Sequence, residues 1–440
     1  MTLMENIILP PKKSLLYRLG KHPLLIPYKR LFILITLINT YILYKGIYSW
    51  NWFQLDNLAI LEVSRVILFN FTLAILIRQQ YVINFLFKVA TSVPKNWPLF
   101  IRRICAKVYH FGGLHSSSAS MGTIWYFIFV WMLYYTFYNT EGFINSAIII
   151  ITTIIVCLLS IIIIMALPKM RAKFHNHFEF THRIGGWTVL ALFWVQMFLF
   201  LNLQDPSIQV WENLDFWILI AITVSVILPW LRLKKVDIEI VSPSNHVALT
   251  TFDYGVTPFA GSSTALSRNP LLEWHSFANV PSPDKSGFRL TISRAGDWTG
   301  RFITDKPQKI WVKGIPTAGV GNVDKLFNKV IWVATGSGIG PCLPHLLLNE
   351  TPSVLIWSTR SPEKTYGEDL VNEIKKVQPN AIIWNTDEKG KPDLVKLTYK
   401  VCKEFNAEAI ICISNQSLTQ KVVHNMEYLG IPAYGAIWDS

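Results

Sequence analysis

The stretch with the clearest chemical potential is a glycine-rich turn between an apolar strand and an apolar helix. Residues 330–334 (VIWVA) are apolar and rich in β-branched and aromatic side chains, which is typical of a buried parallel strand. Gly336, Gly338 and Gly340 follow, and Pro341 precedes a second apolar run. Glycines let a backbone approach a diphosphate closely, and the first N–H groups of a helix attract anions. The pattern predicts nucleotide binding, with an unliganded strand-to-helix turn as the alternative.

The composition of the 440-residue chain is typical of a membrane protein. Hydrophobic residues make up 51% of it and charged residues only 16%, which is too apolar for a soluble protein of this length. A net charge of +13 would by itself suggest a nucleic-acid partner, but the basic residues of the first half lie at the ends of apolar runs. We therefore expect the lipid bilayer as a partner, and no nucleic acid.

Six apolar runs in the first half are long enough to cross a bilayer, which takes about 20 residues. Loops rich in lysine and arginine alternate with loops that contain neither, and this alternation predicts cytoplasmic N- and C-termini. The first 30 residues show no cleavable signal peptide, so we expect a multi-pass protein of the plasma membrane or of a bacterial inner membrane. The predicted spans are 31–49, 58–77, 119–138, 144–167, 184–203 and 211–231.

The second half of the sequence predicts two further domains. Residues 236–325 form short alternating runs separated by Pro and Gly, which is typical of a small antiparallel β-barrel. Strands alternate with helices over 326–440, which predicts a doubly wound α/β domain with a parallel sheet and ligands at the carboxyl ends of its strands. Together with a cytoplasmic segment at 1–30 and a six-helix all-α transmembrane bundle at 31–235, this gives four parts.

Seven different short motifs follow one another along the chain. They are HFGGLHSSSA (110–119), HNHFEFTHRIGGW (175–187), HSFANVPSP (275–283), ISRAGDWT (292–299), ATGSGIGP (334–341), IWSTRSP (356–362) and IPAYGAIWDS (431–440). The last five resemble the ferredoxin-reductase type of flavin and pyridine-nucleotide module in ferric reductases and NADPH oxidases. The first two resemble more closely the fungal TmpA-like integral membrane proteins. The resemblance implies an oxidoreductase that uses FAD together with NADPH or NADH.

The resemblance implies a flavin site in the third domain. His275, Ser276, Phe277 and Ala278 occupy the flavin-binding box, in which Phe277 would lie along the flavin and His275 would help to hold the diphosphate. The box normally ends in Ser or Thr, whose hydroxyl meets flavin N5, so Ala278 is a departure that removes this hydrogen bond. Gly296 and Thr299 match the diphosphate loop, with a plain turn as the alternative. Trp438 is expected over the flavin ring.

The resemblance also implies a dinucleotide site in the last domain. The adenosine ribose would lie near Thr359 and Arg360, and a guanidinium there suits a 2′-phosphate, which favours NADPH over NADH. The alternative is a surface arginine paired with Glu363. The fourth strand ends in Ile413-Ser414-Asn415 where the family has a Cys-Gly pair, which is a second departure at the site of hydride transfer. The implied cradle comprises Thr335, Gly336, Gly338, Gly340, Pro341 and Asn415.

The histidines of the first half leave the acceptor of the electrons open. Their spacing excludes the two-haem relay of ferric reductases, which needs pairs about 13 residues apart in one helix. A single haem held by His115 and His182 stays possible, as does a metal site at His175, His177 and His182. We favour a third interpretation, polar residues at helix ends, and assign no metal.

The sequence thus predicts a membrane-bound flavoprotein that passes hydride from NADPH to FAD. Single electrons would then reach an acceptor at the cytoplasmic membrane face, such as a quinone or another lipophilic molecule. One alternative is a redox sensor or signalling scaffold with weak turnover, because both departures weaken hydride transfer. A second alternative is a haem-containing ferric or oxygen reductase.

Overall fold

The computed structural model describes residues 7–137, 142–204, 209–253, 255–256, 258–282 and 287–436. Its first half is helical, and its second half contains three sheets. The helices of the first half are α1 (Leu15–Leu19), α2 (Pro27–Tyr48), α3 (Ile60–Leu76), α4 (Gln80–Thr91), α5 (Leu99–Cys105), α6 (Gly112–Phe137), α7 (Phe143–Ala166), α8 (Pro168–Lys173), α9 (His175–Gln204) and α10 (Leu214–Leu231).

Four described helices are long and apolar enough to cross a membrane: α2, α7, α9 and α10. The pair α3 and α4, which meets at a bend of 71°, would make a fifth span if it counted as one. The predicted span 119–138 falls on α6, which is not among them. Its serines and glycines reduce its apolar character, and Ser117, Ser118 and Gly122 are buried against neighbouring helices. The predicted number of six spans is therefore not confirmed.

A buried polar contact joins three of these helices. The side-chain amides of Asn39 in α2 and Asn70 in α3 bond to each other at 2.8 and 3.2 Å. The indole of Trp125 in α6 donates to Asn39 Oδ1 at 2.9 Å. Amides buried in an apolar setting need partners, so this contact fixes how α2, α3 and α6 pack.

The middle of the chain folds into two antiparallel sheets. One has the order β1–β8–β4–β5, with β9 also paired to β4, and the other has the order β2–β3–β7–β6. The antiparallel strands were predicted, but a closed barrel is not confirmed. The elements are β1 (Leu233–Asp237), β2 (Glu239–Ser244), β3 (Val247–Phe252), β4 (Ser262–Ser267), β5 (His275–Ala278), β6 (Val280–Pro281), β7 (Phe288–Ser293), α11 (Asp297–Asp305), β8 (Lys309–Lys313) and β9 (Thr317–Ala318).

The last part of the chain is a five-stranded parallel sheet with helices on both faces. Its order is β12–β11–β10–β13–β14. Trp332 and Trp357 pack on one face of it, whereas Ile331 and Val333 pack on the other. The elements are β10 (Val330–Thr335), α12 (Ile339–Leu348), β11 (Ser353–Thr359), α13 (Pro362–Tyr366), α14 (Glu368–Val377), β12 (Ile382–Asn385), α15 (Thr386–Lys389), α16 (Leu394–Phe405), β13 (Ala409–Ile413), α17 (Gln416–Tyr428) and β14 (Ala433–Gly435).

Buried polar side chains dock the helical half onto both sheet regions. Arg102 in α5 is 5% exposed and reaches Glu408 with two nitrogens, at 2.7 and 3.3 Å. Asn84 in α4 donates to Pro316 O at 2.9 Å and accepts from the N–H of Ala318 at 2.8 Å. The planar guanidinium of Arg102 binds the carboxylate of Glu408 through two nitrogens. The side-chain amide of Asn84 bonds to backbone groups on both sides of Thr317. The helices therefore meet the sheets in one defined orientation.

Candidate flavin and nucleotide site

The glycine turn between β10 and α12 is fixed by its own neighbours. Gly336 has φ of +49°, in the left-handed region that favours glycine, and its carbonyl accepts from the indole of Trp357 at 3.0 Å. A Cβ at Gly338 would overlap the carbonyl oxygen of Ile413 at the end of β13. Two of the three glycines are thus required by the fold itself, whether or not a ligand is bound.

The same turn places the start of α12 against the antiparallel sheets. A Cβ at Gly340 would lie 3.6 Å from Thr291 in β7, an ordinary contact distance. The helix continues across β5 and β6, so the predicted nucleotide turn and the predicted flavin box lie on elements that touch. Arg289 in β7 also pairs with Glu373 in α14 at 2.5 Å. The two candidate cofactor sites therefore share one interface.

The ends of neighbouring parallel strands bring polar groups to the turn. The hydroxyl groups of Thr335 and Ser414 are hydrogen-bonded to each other. Tyr366 is buried against Trp357, with ring centroids 5.0 Å apart, and its hydroxyl lies 3.7 Å from where a Cβ of Gly336 would be. The sequence analysis did not single out Tyr366, because only the pairing of β10 with β11 brings it to the turn.

The predicted adenosine end lies at the end of β11. Thr359 is buried, whereas Arg360 is exposed. The alternative partner of Arg360, Glu363, pairs instead with Lys375 at 3.1 Å. The guanidinium of Arg360 thus points to solvent, where a 2′-phosphate could reach it.

The end of β13 lacks the reactive group that the resemblance implies. Cys412 is fully buried, as its position in the strand predicts, and burial raises the pKa of its thiol to about 12. Asn415 caps α17 by accepting from the N–H of Leu418 at 3.0 Å. This amide oxygen is therefore engaged in the cap, and the hydroxyl groups at the neighbouring strand ends are those of Thr335, which is half-buried, and Ser414, which is buried.

The predicted flavin box is built around an aromatic stack. The ring of Trp298 lies 4.4 Å from His275, 5.9 Å from Phe277 and 5.2 Å from Phe302, measured between centroids. Its indole N–H donates to Glu273 at 2.6 Å. The sequence did not predict these contacts of Trp298, because a tryptophan inside a turn motif gives no information on which side chains it will contact.

The start of α11 fits a diphosphate. Thr299 Oγ1 accepts from the N–H groups of Ala295 and Gly296, at 2.9 and 3.1 Å, so the threonine closes the loop. Gly296 has extended backbone, and a Cβ there would meet nothing within 4 Å. The loop is therefore open at Gly296, and the N-terminus of α11 stays a predicted diphosphate site.

The remaining residues of the box show the predicted departure. Ala278 pairs with Ser263 in β4, whose hydroxyl donates to Thr317 O at 3.3 Å. Ser276 is exposed. Trp438, the predicted aromatic over the flavin, lies outside the described residues.

The structure brings two of the histidines together and separates the others. His115 and His182 lie with ring centroids 6.0 Å apart, and His115 Nδ1 bonds to Ala74 O at 2.8 Å. His175 pairs with Glu179 at 3.3 Å, and the ring of His177 contacts that of Phe174 edge to face. The described residues hold no group of three or more His, Cys, Asp or Glu that could bind a metal. The metal hypothesis at 175–182 is not supported, because α9 starts at His175 and places His175 and His177 on different sides.

The start of α9 meets the flavin box through charged groups that the sequence analysis missed. Arg183 donates to Leu271 O at 3.1 Å. The ammonium of Lys313 lies 4.4 Å from the ring of Trp274 and 5.4 Å from that of Trp230. Burial, together with the positive charge of Arg183 and against the negative charge of Glu179, lowers the pKa of Lys313 to about 8. Burial likewise lowers the pKa of His275. The box is therefore part of an interface with the helical half.

Comparison with known proteins adds a chain-wide similarity. Residues 320–440 match the family described as the C-terminal domain of adenylate-forming reductase 03009. Adenylate-forming reductases 06235 and 03009 of Coprinopsis cinerea are each 42% identical to this chain, over 430 and 434 residues. The chain is similar to both over nearly its whole length. The matches cover 96% of this chain but 41% of each relative, so the chain spans about two fifths of their length.

Solved structures are more distant. A ferredoxin NADP+ reductase from Neisseria gonorrhoeae with bound FAD and NADP is 14% identical, with a TM-score of 0.37, over 47% of this chain and 98% of its own. A flavohemoglobin from Malassezia yamatoensis with bound FAD and heme is 13% identical, with a TM-score of 0.42, over 86% of this chain and 96% of its own. Similarities of this size do not define the function of this chain.

Proposed function

We propose that this chain is a membrane-anchored flavoprotein reductase that takes hydride from NADPH into FAD. The observation that carries the proposal is the shared interface, in which the glycine turn and α12 lie against the strands of the aromatic flavin box. Hydride transfer needs two cofactor rings in contact, and two cofactor sites on touching elements meet this requirement. Both Coprinopsis cinerea relatives are described as reductases, which supports reduction as the reaction. Adenylate formation is not part of the proposal.

Each part of the site has a physical role in this proposal. FAD, when bound, would supply an acceptor for a hydride and a donor of single electrons. The free N–H groups at the start of α11 would hold its diphosphate, and Phe277 and Trp298 would offer an apolar surface to its rings. The turn at Gly336–Gly338 would hold the second dinucleotide, and Arg360 would bind its 2′-phosphate.

The acceptor is proposed to lie at the cytoplasmic membrane face. α9, one of the helices that could cross a membrane, reaches the segment just before the flavin box through the bond from Arg183 to Leu271 O. An acceptor at this junction would be a quinone or another lipophilic molecule, since the surrounding helices are apolar. This proposal also includes the resemblance to TmpA-like membrane proteins. It includes the cytoplasmic location of both termini, which the charges of the loops predict.

Two observations favour alternative functions. Ala278 offers no hydroxyl, and Asn415 is engaged in a helix cap, so the chain could bind its cofactors as a redox sensor with weak turnover.

The rings of His115 and His182 lie 6.0 Å apart, which is compatible with two imidazoles that would hold one haem. The carbonyl of Ala74 bonds to Nδ1 of His115 and orients its ring, as such bonds do for metal-binding histidines. A haem would make the chain a ferric or oxygen reductase.

An anaerobic titration of the purified chain with NADPH separates the three proposals. If the chain is a flavin-only reductase, NADPH should bleach the absorbance of the bound flavin within the time of one enzymatic turnover. No Soret band of haem should appear. A Soret band that sharpens as the flavin bleaches would instead indicate haem at the histidine pair. Bound flavin that NADPH does not bleach would contradict the reductase proposal and favour the sensor.

Replacing Ala278 by serine is expected to speed hydride transfer. The added hydroxyl would stand where related boxes bond flavin N5, and one such hydrogen bond is worth about 1 kcal/mol, or roughly fivefold in rate. Stopped-flow measurement of flavin reduction by NADPH tests this. Ser276→Ala, which changes an exposed neighbour in the same strand, is the control and should leave the rate unchanged. An unaltered rate in A278S would mean that another group already serves N5.

Replacing Arg360 by glutamine is expected to weaken NADPH binding about tenfold and to leave NADH binding unchanged. A charge-assisted hydrogen bond to phosphate is worth about 1.5–3 kcal/mol, and NADH lacks that phosphate. Fluorescence titration with both nucleotides gives the two dissociation constants. Lys364→Gln removes an exposed positive charge from nearby α13 and controls for general electrostatics. Equal losses for both nucleotides would refute the assigned role.

A further inference from the structure

A large cavity, separate from the flavin and nucleotide site, opens where three parts of the chain meet. It has a volume of about 1030 Å³ and is bounded by residues 17–31, residues 86–114 and α17. This volume lies at the upper end of the range for ligand-binding pockets. The cavity has no role in the function proposed above, and the inference drawn from it does not depend on that function.

The polar part of the cavity is strongly cationic. One carboxylate lines it, Glu427, which is 5% exposed and lies 2.5 Å from Lys21 and 3.4 Å from both Arg103 and Lys107. Two further cations bond only to backbone carbonyls: Lys29 to Pro23 and Arg30 to Leu25. The described residues of the lining include five cations and one carboxylate, a surplus of four positive charges. A surplus of this size around a cavity attracts an anion.

The rest of the lining is apolar. It comes from the N-terminal segment, from α4 and α5, and from α17. Two of its members, Phe100 and Ile104, are 64% and 68% exposed on α5, one helical turn apart. A cationic end joined to an apolar wall fits a molecule with a charged head and a hydrocarbon chain. The apolar lining includes Leu25, Ile26, Leu31, Leu86, Ala90, Val108, Phe111, Leu114 and Val423.

His110 supplies an independent sign of a ligand. It lines the cavity and is 6% exposed, yet its Nδ1 has no hydrogen-bond partner among the described residues. Its ring stacks on Tyr109 with centroids 4.3 Å apart, which holds it in place. A buried polar atom without a partner is costly, so such an atom beside a cavity marks a place for a polar group of a ligand.

We propose that this cavity binds an anionic amphiphile, with its carboxylate or phosphate at Lys29 and Arg30, whose bonds go to backbone carbonyls, and its hydrocarbon chain along α4 and α5. A free long-chain acid and an acidic membrane phospholipid share this chemistry. In either case the ligand bridges the N-terminal segment and α17, so binding also ties the start of the chain to the nucleotide domain.

Photo-crosslinking in nanodiscs of neutral phosphatidylcholine tests the proposal on the full chain. A palmitate analogue with a diazirine in its hydrocarbon chain is the probe, and mass spectrometry locates the label. Labelling is expected within 17–31, 86–114 or 419–436, and an acid should displace the probe whereas hexadecanol should not. If palmitate displaces the probe and dioleoyl phosphatidic acid does not, the ligand is a free acid. If dioleoyl phosphatidic acid displaces the probe, the ligand is a membrane lipid. Equal displacement by hexadecanol, or label elsewhere, would overturn the proposal.

Three variants define the site. Lys29→Gln should weaken probe binding about tenfold, since it removes a charge-assisted contact to the head group. Lys88→Gln removes an exposed charge of α4 that does not line the cavity and should have no effect. Ala90→Trp fills the apolar wall, leaves every cation in place and should abolish labelling. Normal labelling of A90W, or an equal loss in K88Q and K29Q, would contradict the proposed site.

Discussion

Gly338→Ala is expected to abolish measurable NADPH binding and to destabilise the chain by about 3 kcal/mol. A Cβ at this position overlaps the carbonyl oxygen of Ile413, so either the turn or the end of β13 must move. Both carry the surface on which the nucleotide is proposed to lie. Fluorescence titration with NADPH and thermal unfolding in detergent measure the two effects.

Gly340→Ala is the matched control for this prediction. It makes the same chemical change two residues later, where the new methyl group would lie 3.6 Å from Thr291, an ordinary contact distance. Alanine also favours a helix over glycine by up to about 1 kcal/mol, so stability should hold or rise slightly. Native NADPH affinity in Gly338→Ala would show that the turn is not the nucleotide site.

Glu427→Gln is expected to destabilise the docked N-terminal segment by about 3 kcal/mol at neutral pH. The change leaves Lys21, Arg103 and Lys107 together, partly buried, with no counter-charge, and breaking a buried ion pair by removing one partner costs about 3–5 kcal/mol. A carboxylate in the last turn of a helix is itself unfavourable, so these cations are what make Glu427 acceptable there. Thermal unfolding, with proteolysis of residues 7–26 as a local probe, measures the loss.

The pH dependence of this effect has a definite sign. Burial raises the pKa of Glu427, but Lys107, Lys21 and Arg103 outweigh it and hold the pKa below its ordinary value. A carboxylate with a lowered pKa stabilises the folded chain fully above its unfolded pKa of about 4.3, and this stabilisation is lost as the pH falls through the folded value. The difference between wild type and E427Q should therefore be constant above about pH 5 and shrink below about pH 4.

A surface carboxylate provides the comparison. Glu404 is 62% exposed and lies 3.9 Å from Lys400, so Glu404→Gln should change stability by less than about 0.5 kcal/mol. A loss in E427Q no larger than that in E404Q would mean that the three cations are solvated independently of Glu427. The N-terminal segment would then be held by its other contacts, such as the bond from the N–H of Lys13 to Tyr428 O.

Local patterns in the sequence determined the type of each region. The apolar run before Gly336 predicted the buried strand β10, and the alternation of strands and helices predicted the parallel sheet. Both follow from periodicity, since a strand buried on both faces has to be apolar throughout. Two of the turn glycines stand where the fold requires glycine, because Gly336 is left-handed and Gly338 lies close to the backbone of Ile413, whereas their contact with a nucleotide stays a prediction.

Helix geometry limited the prediction of the membrane region. The apolar run at 58–77 appears as α3, but the chain then bends by 71° into α4 instead of entering a loop. A hydropathy profile shows how long an apolar segment is, but it contains no information on where a helix bends. Along α4, Ile83 and Phe87 pack into the core of the sheets, so the direction of this helix depends on what it docks against.

The sequence alone thus determined the glycine turn and the order of helical, antiparallel and parallel regions, whereas the residues of the flavin box stay a prediction. The tertiary structure decided the partners: Trp298 over His275, Lys313 between two tryptophans, Asn84 on the backbone around Thr317, and Glu427 among three cations. These pairs are separated by many residues along the chain, and no local pattern encodes which of many lysines or tryptophans will meet. Only the packing of whole elements fixes such contacts, because their energy depends on burial and distance in the folded chain.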